Sequence, residues 1–148
     1  MNKKSALTYF SKPWVVALFI FLLAIGLRIY HLNQIYVFTA DEEYQTNLAM
    51  TLVRDFHPIW IGVSASNTGF YLGPFWSYFT SFWLFLSHGD PLITAYVAAF
   101  LGALTTLAVF YIGWKMFSLR AGIIASLLYA CLPLVVFFDQ KYWNPSAT

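Results

Sequence analysis

Charge is the scarcest thing in this chain. Asp, Glu, Lys and Arg together make up 9% of its 148 residues, and 60% are hydrophobic. Soluble domains carry about 25% charged residues, so a water-soluble globular domain is excluded. The net charge of +2 is too small a surplus to imply a nucleic-acid partner. The single cysteine, Cys131, sits inside an apolar run, so there is no disulfide framework to report a redox compartment. The sequence has no Cys/His ligand spacing, no Ser-His-Asp arrangement and no glycine-rich phosphate loop. It also has no internal repeat and no low-complexity tail.

Long apolar runs are what the chain has instead. Residues 92–114 and 121–138 contain no charged residue, and runs of about 18 or more such residues read as membrane spans. A third run, residues 13–27, is preceded by Lys3, Lys4 and Lys12 and bounded on its other side by Arg28. It reads as an uncleaved anchor over about 13–31 rather than a signal peptide, because the best cleavage site, after Ala40, has bulky Phe38 at the −3 position. Lysines ahead of the first span put the N-terminus in the cytoplasm and the residues after Arg28 outside. The expected fold class is therefore an all-α polytopic membrane protein with spans over about 13–31, 92–114 and 121–138.

Against that background, Asp41-Glu42-Glu43 holds three of the six acidic residues. Thr39 with Glu42 three residues later is a capping box, which predicts a helix over about 40–56. On a helical wheel Leu48, Ala49, Leu52 and Phe56 fall within about 80° of Asp41, while Glu43, Asn47 and Arg54 fall opposite. This predicts that Asp41 lies along the apolar side with Glu42 at its edge, and that Glu43 is solvated. A partly desolvated carboxylate is a better general base, whereas a first-turn acid such as Glu43 needs no role beyond favouring the helix dipole.

Residues 70–87 are uncharged and rich in aromatic rings, with Gly73-Pro74 near the start. If this segment crossed the membrane, Lys115 and Arg120 would lie outside, against the positive-inside rule. The expectation is therefore an interfacial helix over about 70–87 that does not cross. Residues 139–148 then emerge on the same outer side as Asp41. Small residues at helical spacing, Ala95, Ala98, Ala99 and Gly102 in one span and Gly122, Ala125, Ser126 and Ala130 in the next, predict close helix packing.

Arg28, at the outer end of the first span, reads either as a snorkelling end residue or as a cation for a phosphate at the membrane surface. Arg54 and His57 are weaker candidates of the same kind. Asp139, Lys141 and Asn144 lie just past a span, as a polar helix end or as part of a site.

A first span ending in Arg, an outer loop opening with "DEEY" and an aromatic helix entered through proline ("FYLGPFWSYF") together resemble the GT-C membrane glycosyltransferases. Within them the chain is similar to the branch of protein O-mannosyltransferases and the lipid A aminoarabinose transferase. The next two spans and their short basic connection are similar as well. The resemblance covers nearly the whole chain and implies that it is about the first quarter of a full-length member, from the bacterial plasma membrane. It implies GT-C-like N-terminal helices with a large first outer loop holding the helices at 40–56 and 70–87. The implied activity is transfer of a hexosyl or pentosyl sugar from a polyprenyl-phosphate-linked donor to a lipid or protein acceptor on the outer face.

By the resemblance Asp41 is the first-loop acid at the catalytic centre and Glu42 its partner. The family's basic residue before the proline has no counterpart at Leu72-Gly73-Pro74, which leaves Arg28 and Lys141, each bordering a span, for the donor phosphate. The carboxylate of the second outer loop is represented by Asn144, with Asp139 a little before it. The reaction is compatible with a divalent metal, no metal ligand is assigned, and the first quarter alone is expected to be inactive. Membrane lipids are partners by composition. Two rival functions are a membrane transporter, which would place its ionisable residues at mid-membrane depth, and a non-catalytic membrane assembly subunit.

Overall fold

A computed structural model describes residues 13–64 and 69–142. Lys3, Lys4, Lys12 and Asn144 lie outside the described residues. Among the described residues seven helices run in order: α1 Pro13–Ile29, α2 Leu32–Ile35, α3 Ala40–Asp55, α4 Phe75–Leu86, α5 Leu92–Met116, α6 Leu119–Cys131 and α7 Pro133–Asp139. The same residues contain no strand, only one isolated antiparallel bridge between Ser64 and Tyr71.

Two described helical stretches are long and apolar enough to cross a membrane. They are Pro13–Ile35 (α1 continued into α2) and Leu92–Met116. The run expected as one span over 121–138 is instead two helices, α6 and α7, bent by 65°. The break has a local cause. Pro133 offers no N–H to the preceding turn and disfavours helical geometry in the residue before it. Leu132 accordingly adopts φ −66°, ψ 116°, closing α6 and opening α7. Together the pair makes a third span only if the bent halves are counted as one.

Among the described residues, 13–32 and Ala98–Gln140 form one compact unit, and 33–64, 69–97 and 141–142 a second. In the first, α1 packs on α6 and α7. Its inward stripe is Ala17, Ile20, Ala24 and Arg28, one residue per turn. The centre is made of small side chains: Ala24, Ala103 and Ala130 pack together, beside Ala17, Ile20 and Phe110. Trp14, Leu18, Phe19 and Leu22 point outward. That inside-out distribution suits lipid, where apolar burial gives no driving force and helices associate through close backbone approach and polar contacts. Gly122 is one such approach: a Cβ there would lie 2.7 Å from both Phe110 O and Trp114 N of α5.

In the second unit α3 packs on α4. The buried residues of α3 are Glu42, Gln45, Thr46 and Ala49, and those of α4 are Ser77, Thr80, Ser81 and Leu84. Both sets step by three, one and three, which gives each helix one polar and small face for the other. The α4 helix begins at Phe75, not near 70, because Pro74 is accommodated at a helix start but not inside one. The preceding segment pairs back on residues 62–63, with Gly62 N donating to Leu72 O and Leu72 N to Val63 O. With 12 residues, α4 is about 18 Å long, short of the roughly 30 Å of a hydrocarbon core.

Candidate functional site

The acidic turn is built by the local sequence. Thr39 ends the extended chain and α3 starts at Ala40 through the expected capping box. Glu42 Oε2 accepts from the Thr39 backbone N–H at 2.7 Å and from the Thr39 hydroxyl at 2.8 Å. This draws Glu42 inward, to 2% exposure, and leaves Asp41 and Glu43 exposed. The wheel-based expectation for Asp41 is corrected here: the withdrawn carboxylate is Glu42, and Asp41 faces outward as Glu43 does. The physical reason is that the α3–α4 contact is polar. Of the apolar residues that defined the wheel's inner side, only Ala49 is buried, while Phe56 is exposed and Leu48 and Leu52 are half-buried.

Around Glu42 lies a buried polar cluster. Gln45 Nε2 donates to Ser77 Oγ and Thr80 Oγ1, both at 3.2 Å. The Thr80 hydroxyl donates to Trp76 O at 2.7 Å, so in its 3.0 Å contact with Tyr142 OH the phenol is the donor. Trp76 also stacks on Tyr142, with ring centroids 4.8 Å apart. Ser81 Oγ donates to Ala49 O at 2.9 Å, tying α4 to the α3 backbone. Glu42 Oε1, Gln45 Oε1, Tyr36 OH and Trp76 Nε1 are buried without a hydrogen bond of good geometry. Burial pushes the Tyr36 phenol up to about 12; Thr94 beside it works the other way, and the Glu42 charge raises it further. Burial likewise raises the Tyr142 phenol, against the Thr80 hydroxyl.

In the other unit, Arg28 is fully buried. Its Nε and Nη2 donate to Asp139 Oδ2, and its Nη1 donates to the carbonyls of Ala24 and, at 3.5 Å, Ala130. Gln140 Nε2 donates to Arg28 O at 2.8 Å. The Arg28 side chain therefore neither snorkels nor stands open. A phosphate at this position would have to displace Asp139.

Of the sequence-predicted residues, Arg28 and Asp139 are joined in the first unit, whereas Asp41, Glu42 and Lys141 belong to the second. Arg54 and His57 are exposed near the end of α3. Among the described residues no group of three or more His, Cys, Asp or Glu is placed to hold a metal ion. Sequence reasoning missed Tyr36, Gln45, Ser77, Thr80 and Tyr142. A signal for three of them was present: uncharged polar residues at matched helical spacing in 42–49 and 77–84 mark an interhelical contact. No family model, curated protein or solved structure matches the chain.

Proposed function

We propose that the chain belongs to a GT-C type glycosyltransferase that moves a sugar from a polyprenyl-phosphate-linked donor to a lipid or protein acceptor at the outer face of a bacterial plasma membrane. Asp41 acts as the base. It takes the proton of the acceptor hydroxyl or amine, the acceptor atom bonds to the anomeric carbon, and the bond to the lipid phosphate breaks. A lipid phosphate leaves without an acid catalyst but gains from a neighbouring cation. The resemblance offers Arg28 and Lys141 for that role, and the Arg28 guanidinium is fully buried and holds Asp139.

The observation that carries this reading is the division of labour in one helical turn. Glu42 is withdrawn into its own chain while Asp41 stays exposed beside it. Tyr142, just beyond the bent helix pair, joins the same compact unit through Thr80. That supports a shared outer side for the acidic turn and residues 141–142, and the shortness of α4 supports an interfacial helix. The test is transfer activity of the full-length protein. Asp41→Asn is expected to lower it by about 10²–10⁴-fold, and Glu43→Gln to leave most of it. Equal effects at the two positions would rule the assignment out.

A transporter reading is favoured by one feature, the broken helix pair α6–α7, since transporters build sites from discontinuous helices. In that case Arg28 and Asp139 variants, rather than Asp41→Asn, would abolish function.

A further inference from the structure

The α3–α4 pair is inside out. The faces that the two helices turn to each other carry Glu42, Gln45, Ser77, Thr80 and Ser81. Phe75, Tyr78, Phe82 and Phe85 stand exposed along α4, spaced by three, four and three residues and so forming one stripe of the helix. Water disfavours such a stripe, and a membrane accepts it. At the C-terminal ends of the two helices the surface changes character. Met50, Val53 and Arg54 of α3 face Phe85, His88 and Gly89 across a cleft. The turn after α4 is held close to α3 there, because a Cβ on Gly89 would lie 3.1 Å from Met50 Cε. Arg54 and His88 are both exposed, and Arg54 is in no ion pair with a described residue. Neither Asp55 nor Asp90 lines the cleft, and Asp90 Oδ1 is engaged in accepting from Leu92 N at 2.9 Å. Helix-end carbonyls repel an anion, but here several are occupied: Thr51 O accepts from the N–H groups of Phe56 and His57, and Leu84 O from that of Gly89. A second, apolar cleft adjoins the first and shares Val53 and Phe85 with it. Leu52, Phe56, Tyr78, Ser81 and Phe82 complete its walls. The apolar helix α5 starts at Leu92, four residues after His88, so the basic cleft lies at headgroup level.

We infer that these adjoining clefts bind one anionic phospholipid of the bilayer, with its phosphate between Arg54 and His88 and an acyl chain between Leu52, Phe56 and Phe82. The Arg54 guanidinium presents a fork of donors to two phosphate oxygens. His88 donates a ring N–H, which imidazole carries in either protonation state. A free phosphate would fill the basic cleft alone, whereas a phospholipid fills both. Asp41 lies about 20 Å back along α3 at 1.5 Å per residue, so this lipid is out of reach of that carboxylate and is not the sugar donor. The site stands apart from the function proposed above. Its effect is to fasten the C-terminal ends of α3 and α4 to the bilayer surface.

Native mass spectrometry of the 148-residue chain released from detergent micelles tests this, with dioleoylphosphatidylglycerol, dioleoylphosphatidylcholine or glycerol 3-phosphate added. The anionic lipid is expected to be retained at least about fivefold better than the zwitterionic one, the worth of one basic residue at an anionic membrane surface. Arg54→Gln and His88→Gln, both at exposed positions, should each weaken its retention by about the same factor, and Phe82→Ser should weaken it as well. Lys115→Gln, at the other end of α5, should leave it unchanged. Equal retention of the two lipids overturns the inference, as does a loss in Lys115→Gln equal to that in Arg54→Gln, which would mean attraction by charge alone. Displacement of the lipid by an equal concentration of glycerol 3-phosphate also overturns it, because the site would then be one for soluble phosphate. Asp41→Asn is expected to retain the lipid normally, so loss of transfer in that variant and loss of lipid in Arg54→Gln are read separately.

Discussion

Asp139 Oδ2 accepts from both Nε and Nη2 of Arg28, at 2.9 and 2.7 Å, across 111 residues of sequence. The pair ties the C-terminal end of α1 to the end of the broken helix pair, and Gln140 closes the same junction on Arg28 O. Arg28 is fully buried and the Asp139 side chain is 19% exposed, so removing one partner leaves a charge with little access to solvent. Breaking such a pair typically costs about 3–5 kcal/mol, whereas replacing both members with apolar residues is often neutral. Asp139→Asn and Arg28→Met should each lower the thermal midpoint in detergent. The double variant Arg28→Met/Asp139→Leu should lose less than either. A double variant worse than both singles would show that the pair is not one energetic unit.

Gly102 makes room for that pair. A Cβ at this position would fall on the Asp139 carboxyl group. Gly102→Ala is expected to destabilise the chain by about 1–3 kcal/mol through overpacking. Shortening the obstacle in Gly102→Ala/Asp139→Ala should relieve the clash but not the unpaired Arg28. Equilibrium unfolding in mixed micelles measures both; an unchanged midpoint for Gly102→Ala alone would mean that α7 can shift freely.

Membrane sidedness depends on whether the short α4 crosses. Phe117 and Phe56 are strongly exposed, at 78% and 81%, which makes them suitable for cysteine labelling once Cys131 is replaced by alanine. Impermeant thiol reagents should reach Phe117→Cys only from the cytoplasm and Phe56→Cys only from outside. Labelling of both from one side would mean that residues 70–87 cross the membrane after all.

Alkaline pH should loosen the second unit. The Tyr36 phenol is raised from 10.0 to about 12, so the folded chain holds its proton more tightly than the unfolded one. Its contribution is fully present below pH about 10 and is lost as pH rises through about 12. Tyr142 is shifted in the same direction. Hydrogen exchange of α3 and α4 amides, corrected for the intrinsic pH dependence, should accelerate across that window. In Tyr36→Phe the acceleration should be smaller.

The sequence by itself determined the membrane character, the start of α3 and the existence of α1 and α5. Each rests on local physics: hydropathy over a run, a capping box from Thr39 and Glu42, and small residues at helical spacing. Even the break at Leu132 was written locally, in Pro133, although the apolar run around it masked the signal. Which acid is buried was decided only in the tertiary structure. A helical wheel assigns the inside by apolarity, but the partner that α3 meets is the Ser77-Thr80-Ser81 face of α4, so polar Glu42 and Gln45 turn in and Phe56 turns out. Arg28 shows the same limit from the other side. Its place at the end of a span is visible in the sequence, but its neutralisation by Asp139 needs the bend that brings residue 139 back to α1 and the missing side chain at Gly102.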